Sequence, residues 1–184
     1  MRKVIVILLL IALLLSGCDK ATRNEDGYQV FVIKKGHHES FSGVQAIKDS
    51  TLSFKVIFDS SAVYSIESSK DVTDVNKLFG MTDCGVANHF NSARVGWRWL
   101  NDSLQLFAYV YANSKRTITY LTSVLIGREI PCSITAAKNK YIFNVDGVIH
   151  EEERTCTEED RYMLYPFFGG NELAPHNISI KIAY

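Results

Sequence analysis

The chain carries little of what usually identifies a chemistry from sequence. No excess charge of either sign is present, 20 basic residues standing against 20 acidic, so the electrostatic footprint of a nucleic-acid binder is missing. Its four cysteines form no CxxC pair and no zinc-ribbon spacing, which removes the common sulfur-based metal and redox signatures. Its five histidines, His37, His38, His89, His150 and His176, include no HExxH or comparable array, and no cofactor is indicated. A helix needs about 20 apolar residues to cross a bilayer, and the apolar run Val4 to Leu15 is too short for one.

What that run does offer is an address. The basic start Met1-Arg2-Lys3 precedes it and the small residues Ser16 and Gly17 follow, the layout of a secretory signal peptide. Leu15-Ser16-Gly17-Cys18 resembles the bacterial lipobox, and the resemblance implies cleavage before Cys18, lipidation of its thiol and attachment to a membrane through the acylated N-terminus. Each buried CH₂ contributes about 0.8 kcal/mol, so two or more chains hold a protein durably on a bilayer. Asp19 fits the enterobacterial pattern of inner-membrane retention, but other groups sort by other rules, and the choice of inner or outer membrane stays open. Loss of residues 1–17 removes Arg2 and Lys3 and leaves a net charge of about −2.

The remainder divides simply. Residues 18–27 are polar, without an apolar period, and read as a tether. Residues 28–184 are enough for one domain with a real core. Of the remaining cysteines, Cys84, Cys132 and Cys156, two can form a bridge outside the cytoplasm, and the pairing is not readable from spacing.

One stretch has a helical period: Asp71 to Phe79, with Ser69 as N-cap, Val72, Val75 and Leu78/Phe79 at three-to-four spacing, and Gly80 as the stop. Elsewhere the period is two, as in Leu52, Phe54, Val56, Phe58 and again in Ile178, Ile180, Ile182, Tyr184. Hairpin turns are signalled at Asn101-Asp102, Asn113-Ser114-Lys115 and Asp146-Gly147. Nine or ten short strands with tight turns predict an all-β fold, an antiparallel β-sandwich of jelly-roll type with one short helix.

If Asn101-Asp102 is a two-residue turn, counting fixes the register of the central hairpin. Trp99 then meets Leu104, Trp97 meets Leu106, Val95 meets Ala108 and Ala93 meets Val110, giving a wholly apolar face. The opposite face pairs Arg98 with Gln105, Gly96 with Phe107, Arg94 with Tyr109 and Ser92 with Tyr111. Arg116 and Tyr120 fall near it beyond the next turn. Rings beside fixed donors suit a sugar, whose C–H faces stack on aromatics while hydroxyls and carboxylates engage Arg and Gln. The candidate ligand-binding residues are therefore Arg94, Arg98, Gln105, Tyr109 and Tyr111, with Gly96 as a gap for close approach. The competing expectation is that the rings pack beneath a loop or second sheet, with the guanidinium groups lying over them.

Other residues carry weaker signals. His37-His38-Glu39 sits in a polar loop, and His176 can cap the turn before the last strand. Asp83, Cys84 and His89 could assemble a Cys–His pair, although a disulfide or buried thiol at Cys84 is the simpler expectation. In Tyr165-Pro166-Phe167-Phe168-Gly169-Gly170 the two phenylalanines are expected to plug one end of the core, because adjacent exposed rings are costly in water.

The segments "FNSARVGWRW" and "LYPFFGGNELAPHNISI" resemble pieces of envelope lipoproteins of Bacteroidota-type bacteria. A sheet face with Arg, Gln and Tyr plus a "YPFFGGN" loop is also similar to jelly-roll polysaccharide lyases of the alginate-lyase kind. That resemblance implies Tyr and His as acid and base, with Arg and Gln neutralising a uronate carboxylate. The lyases' Gln-x-His and Tyr-Phe-Lys-Ala-Gly elements are absent from the sequence. The combined expectation is a lipid-anchored protein of the bacterial cell envelope that binds a glycan or another envelope component, a binding module rather than an enzyme. The alternatives are a polysaccharide lyase or hydrolase of jelly-roll type, and a structural or assembly lipoprotein acting through protein partners.

Overall fold

A computed structural model describes residues 26–41, 43–66 and 73–184. The signal segment, Cys18, most of the tether and the proposed cap Ser69 lie outside the described residues. The strands are β1 (Gln29–Ile33), β2 (Ala46–Ile47), β3 (Thr51–Phe58), β4 (Asn76–Thr82), β5 (Ser92–Leu100), β6 (Ser103–Ala112), β7 (Lys115–Val124), β8 (Ile130–Ala136), β9 (Lys140–Val145), β10 (Val148–Glu153), β11 (Arg161–Leu164) and β12 (Ile178–Ala183). They form two six-stranded sheets, A in the order β1-β12-β3-β8-β9-β10 and B in the order β2-β11-β4-β5-β6-β7. All pairings are antiparallel. The fold is the expected jelly-roll β-sandwich, with a few more strands than expected because β2 and β11 are too short to register as alternation.

Period two does the work of the fold. In β3 every second residue, Leu52, Phe54, Val56 and Phe58, is buried while Thr51, Ser53 and Lys55 are exposed, and β12 buries Ile178, Ile180 and Ile182. Sheet B answers with Phe79, Met81, Val95, Trp97, Leu104 and Leu106, all fully buried. Rings meet between the sheets, Phe54 on Phe79 at 5.1 Å and Phe58 on Trp97 at 5.2 Å between centroids. β12 is inserted between β1 and β3, so the first and last strands of the domain are hydrogen-bonded neighbours.

The three hairpin signals each prove to be a two-residue turn: Leu100 pairs with Ser103, Ala112 with Lys115 and Val145 with Val148. Both central residues have positive φ in every case: Asn101 and Asp102, Asn113 and Ser114, Asp146 and Gly147. That is the type I′ geometry whose twist matches the flanking strands.

Of the helix expected over Asp71–Phe79, the described residues 73–79 are not helical. Residues from Asn76 onward belong to β4, and among the described residues the helical structure is one 3₁₀ turn, Ser60–Ala62, capped by Asp59 Oδ1 accepting from Ser61 N at 2.8 Å. A register shift in the β4–β5 ladder between Lys77 and Phe79 accounts for the misreading. It lets the adjacent Leu78 and Phe79 both enter the core, and this β-bulge imitates helical spacing. Gly80 is no helix stop: a Cβ there would lie 2.1 Å from the Ala93 carbonyl oxygen on β5.

A buried polar knot joins the sheets at one end. Asp83, fully buried just beyond β4, accepts from Arg154 Nε at 2.5 Å and from Tyr141 Oη at 2.8 Å, and Arg161 Nε approaches at 3.3 Å. Cys84 beside it is bridged to Cys156, with Cα atoms 5.9 Å apart. The third cysteine, Cys132, is a buried free thiol, and burial pushes its pKa up to about 12.

Candidate functional site

The outer face of sheet B collects the residues singled out from the sequence. The β5–β6 register pairs Arg98 with Gln105, Gly96 with Phe107, Arg94 with Tyr109 and Ser92 with Tyr111, as counting from the turn required. β7 adds Arg116 opposite Tyr111, Ile118 opposite Tyr109 and Tyr120 opposite Phe107. Arg94, Arg98, Gln105, Tyr109 and Tyr111 therefore share one face, and Arg116 and Tyr120 extend it.

The structure adds Lys77, which sequence reading missed because the bulge in β4 hid its direction. Its Nζ donates to the Gly169 carbonyl oxygen at 2.5 Å and lies 5.3 Å from the Tyr109 ring centre and 5.4 Å from that of Phe167. Its backbone exchanges two hydrogen bonds with Phe167, both 2.9 Å. Read as a bulged strand, "NKLFG" would have placed Lys77 opposite the core-facing Leu78.

The two arginines of β5 have different surroundings. Arg98 is occupied: Nε donates to Gln105 Oε1 and Nη1 to the Thr73 carbonyl oxygen, both at 2.8 Å, and its guanidinium lies 4.9 Å from the Phe107 ring centre. Arg94 is 4% exposed, lies 5.9 Å from the Tyr109 ring centre, and its Nε and Nη2 have no hydrogen-bond partner among the described residues. Buried donors are normally paired, and each unpaired one costs about 1–3 kcal/mol. No strand of sheet B contains an aspartate or glutamate, so the acid that acts on Lys77 is Asp74, just before β4.

Burial governs the acidities on this face. Burial first, then the neighbouring Arg94, hold the Lys77 ammonium down at about 8, against a smaller opposing pull from Asp74. Burial depresses Arg94 to about 10. The Tyr109 phenol is raised, mainly by burial and then by Tyr111, while Arg116 is raised by its bond to Tyr109.

The face is layered. Phe107 and Tyr109 are 4% and 2% exposed and pack with Val75 and the half-buried Tyr111. The expected gap over Gly96 is filled: a Cβ there would lie 2.6 Å from Val75 Cγ1, so Gly96 serves packing by the segment before β4 rather than ligand approach. Accessible rings are therefore Tyr111 and Tyr120, the latter 54% exposed, with Arg116 opposite Tyr111 and Ile118 separating it from Tyr120 along β7.

Two loops border the face. The loop after β11 is held by Phe168, fully buried against Tyr64 and Trp97, the plug anticipated from sequence, while Phe167 stacks on His38 at 5.0 Å. Gly169 has φ +65° and a Cβ there would lie 2.2 Å from the Glu172 carbonyl oxygen, so this position requires glycine. His38 Nδ1 donates to the Phe168 carbonyl oxygen at 2.9 Å and His176 Nε2 to that of Ser61 at 2.8 Å, so both are engaged by backbone. On the other border the β4–β5 loop brings the exposed His89 against Tyr111, ring centres 5.2 Å apart. A Cys84–His89 nucleophile is excluded because Cys84 is in the disulfide.

No protein-family model and no curated protein matches the sequence. The fold is shared with solved structures at low identity. Alginate lyase AlyC3 aligns with a TM-score of 0.63 at 13% identity, over 89% of this chain and 76% of the lyase. The laminarinase catalytic domain of Thermotoga maritima MSB8 aligns with a TM-score of 0.58 at 10% identity, over 90% and 78%. The Bacteroides ovatus mixed-linkage-glucan GH16 protein aligns with a TM-score of 0.54 at 11% identity, over 88% and 81%. These likenesses establish the jelly-roll sandwich as the class.

Proposed function

We propose that this chain is a lipid-anchored protein of the bacterial cell envelope, held on the membrane through Cys18, whose sheet B face binds an acidic glycan. The observation that carries the reading is Arg94: a buried guanidinium with two unpaired donors, beside Lys77, on a sheet whose strands hold no acid. A carboxylate or sulfate entering under Tyr111 supplies the missing acceptor, with a charge-assisted bond stronger than a neutral one. Tyr111, Tyr120 and Arg116 would hold the flanking sugar units. The structures sharing the fold include an alginate lyase in complex with dimannuronate, which agrees with an acidic polymer as ligand.

Hydrolysis is disfavoured, because most glycosidases need two carboxyl groups flanking the scissile bond and the strands of this face offer none. The enzymatic reading with a specific observation behind it is a lyase: His89 touches Tyr111 at the accessible end of the face. The pair would remove the proton beside the uronate carboxylate and return one to the departing glycosidic oxygen, leaving a carbon–carbon double bond. The test is a panel of oligouronates and sulfated oligosaccharides, scored for affinity and for new ultraviolet absorbance. Binding without absorbance, weakened in Arg94→Met, supports the module. Turnover lost in His89→Ala and Tyr111→Phe would replace it with the lyase, and no binding to any acidic glycan would refute both.

A further inference from the structure

A second cleft lies at the end of the sandwich, beside the β5–β6 turn. It is an open cleft of about 580 Å³, within the range of about 300–1,000 Å³ typical of small-molecule sites. Trp99, Leu104 and Ile126 contribute its apolar lining, and Asp102, Ser123, Arg128 and Asp146 its polar groups. A smaller recess of about 230 Å³ opens on the other side of the same turn and shares Trp99 and Asp102. The indole is thus reached from two sides, whereas Trp97, two residues earlier, is wholly buried.

The charges of this cleft are opposite in kind to those of the sheet B face. Arg128 is consumed by Asp146, donating from Nη1 to Oδ1 at 2.9 Å and from Nη2 to Oδ2. Asp102 is exposed and makes no hydrogen bond or ion pair among the described residues. The Ser123 hydroxyl is shared with Tyr120 Oη at 3.1 Å, so the cleft offers one free carboxylate and a ring, with no unpaired cation.

We infer that this cleft is a binding site for a neutral hexose unit, stacked by its C–H face on Trp99 with its hydroxyls donating to Asp102. An aromatic ring beside a hydroxyl-accepting carboxylate matches the two-sided character of a pyranose. A uronate is repelled there by Asp102, and a flat hydrophobe leaves Asp102 without a bond. The site does not depend on the acidic-glycan reading of sheet B, since it shares neither Arg94 nor Lys77 and meets that face only where Ser123 bonds Tyr120.

The test uses indole emission. The chain has two tryptophans, and the buried one is shielded from solvent, so a ligand-dependent change reports Trp99. Titration of the full chain with cellohexaose is expected to give a saturable change that disappears in Trp99→Leu. Asp102→Asn should weaken it about tenfold, the worth of one hydrogen bond to a charged group. Asp102 is exposed at a turn that asparagine also tolerates, so this variant folds even if Trp99→Leu does not. An oligouronate of equal length should produce no such change at this site. A cellohexaose response that is absent, that survives Asp102→Asn at full strength, or that the oligouronate reproduces with equal affinity overturns the assignment.

Discussion

Replacing Arg94 by methionine should stabilise the fold while weakening the ligand. The methionine keeps most of the stem that packs against Tyr109 and removes a guanidinium whose Nε and Nη2 lack partners. Burial holds its basicity down to about 10, well below the ordinary arginine value, a depression worth about 3 kcal/mol of unfavourable charge burial. Apolar replacements of buried ions elsewhere gain about 1–4 kcal/mol, so an increase of about 2 kcal/mol is expected. For a domain of this size that is a rise of about 4–8 °C in thermal midpoint. The sign with pH is fixed by the same numbers. The cost is fully present below the folded value of about 10 and fades as pH climbs from there towards the ordinary arginine value, so the gain should be constant below about pH 8, where Lys77 is charged in the parent, and shrink above it as Lys77 loses its proton. Loss of a charge-assisted bond should raise the Kd for an oligouronate at least tenfold. Urea titration and ligand titration of the two proteins decide the matter. An Arg94→Met variant that is less stable and binds unchanged would show that Arg94 is a packing residue and would remove the proposed site.

Four further outcomes are expected. Lys77 has a folded pKa of about 8, below its unfolded 10.5, so its buried charge opposes folding below pH 8; denaturant midpoints should rise between pH 8 and 10.5 in the parent and stay flat in Lys77→Met. The Cys84–Cys156 bridge closes a separation of 72 residues, and replacing both with alanine should lower unfolding free energy by about 4 kcal/mol, read from urea curves with and without reductant. Phe168→Ala should cost about 3–5 kcal/mol and, by freeing the loop that carries Phe167, raise amide exchange at Lys77 and Gly169. Cys18→Ala should move the protein from the membrane to the soluble fraction after cell lysis; continued membrane association would refute the anchor.

How much of this was written in the sequence depended on whether a signal was local. The three turns were, because Asn-Asp, Asn-Ser and Asp-Gly each accept positive φ, and from the first of them the register of β5 and β6 followed by counting. The face of Arg94, Arg98, Gln105, Tyr109 and Tyr111 was therefore legible down to its pairs. What covers that face was not. Val75 over Gly96 and Phe167 beside Lys77 join residues 21 and 90 positions apart in the chain, and no periodicity records such contacts. The helix over Asp71–Phe79 failed for a related reason, since a bulge puts two neighbours into the core and breaks strict alternation. The Asp83 knot was invisible because Arg154 and Arg161 look like ordinary surface charges until the fold brings them to one buried carboxylate. Which of Cys84, Cys132 and Cys156 pair likewise needed the coordinates.

The insertion of β12 between β1 and β3 sets a condition on assembly. Until residues 178–183 are available, β1 has no neighbour in sheet A and β3 lacks one of its two partners, so one edge of sheet A stays open until the last strand is made. Pairings of such long sequence separation form slowly. For a protein delivered across a membrane as a thread, as proposed here, that delay is useful: the polypeptide stays slack while it is being passed through, and its last strand acts as the bolt that locks the domain on the far side.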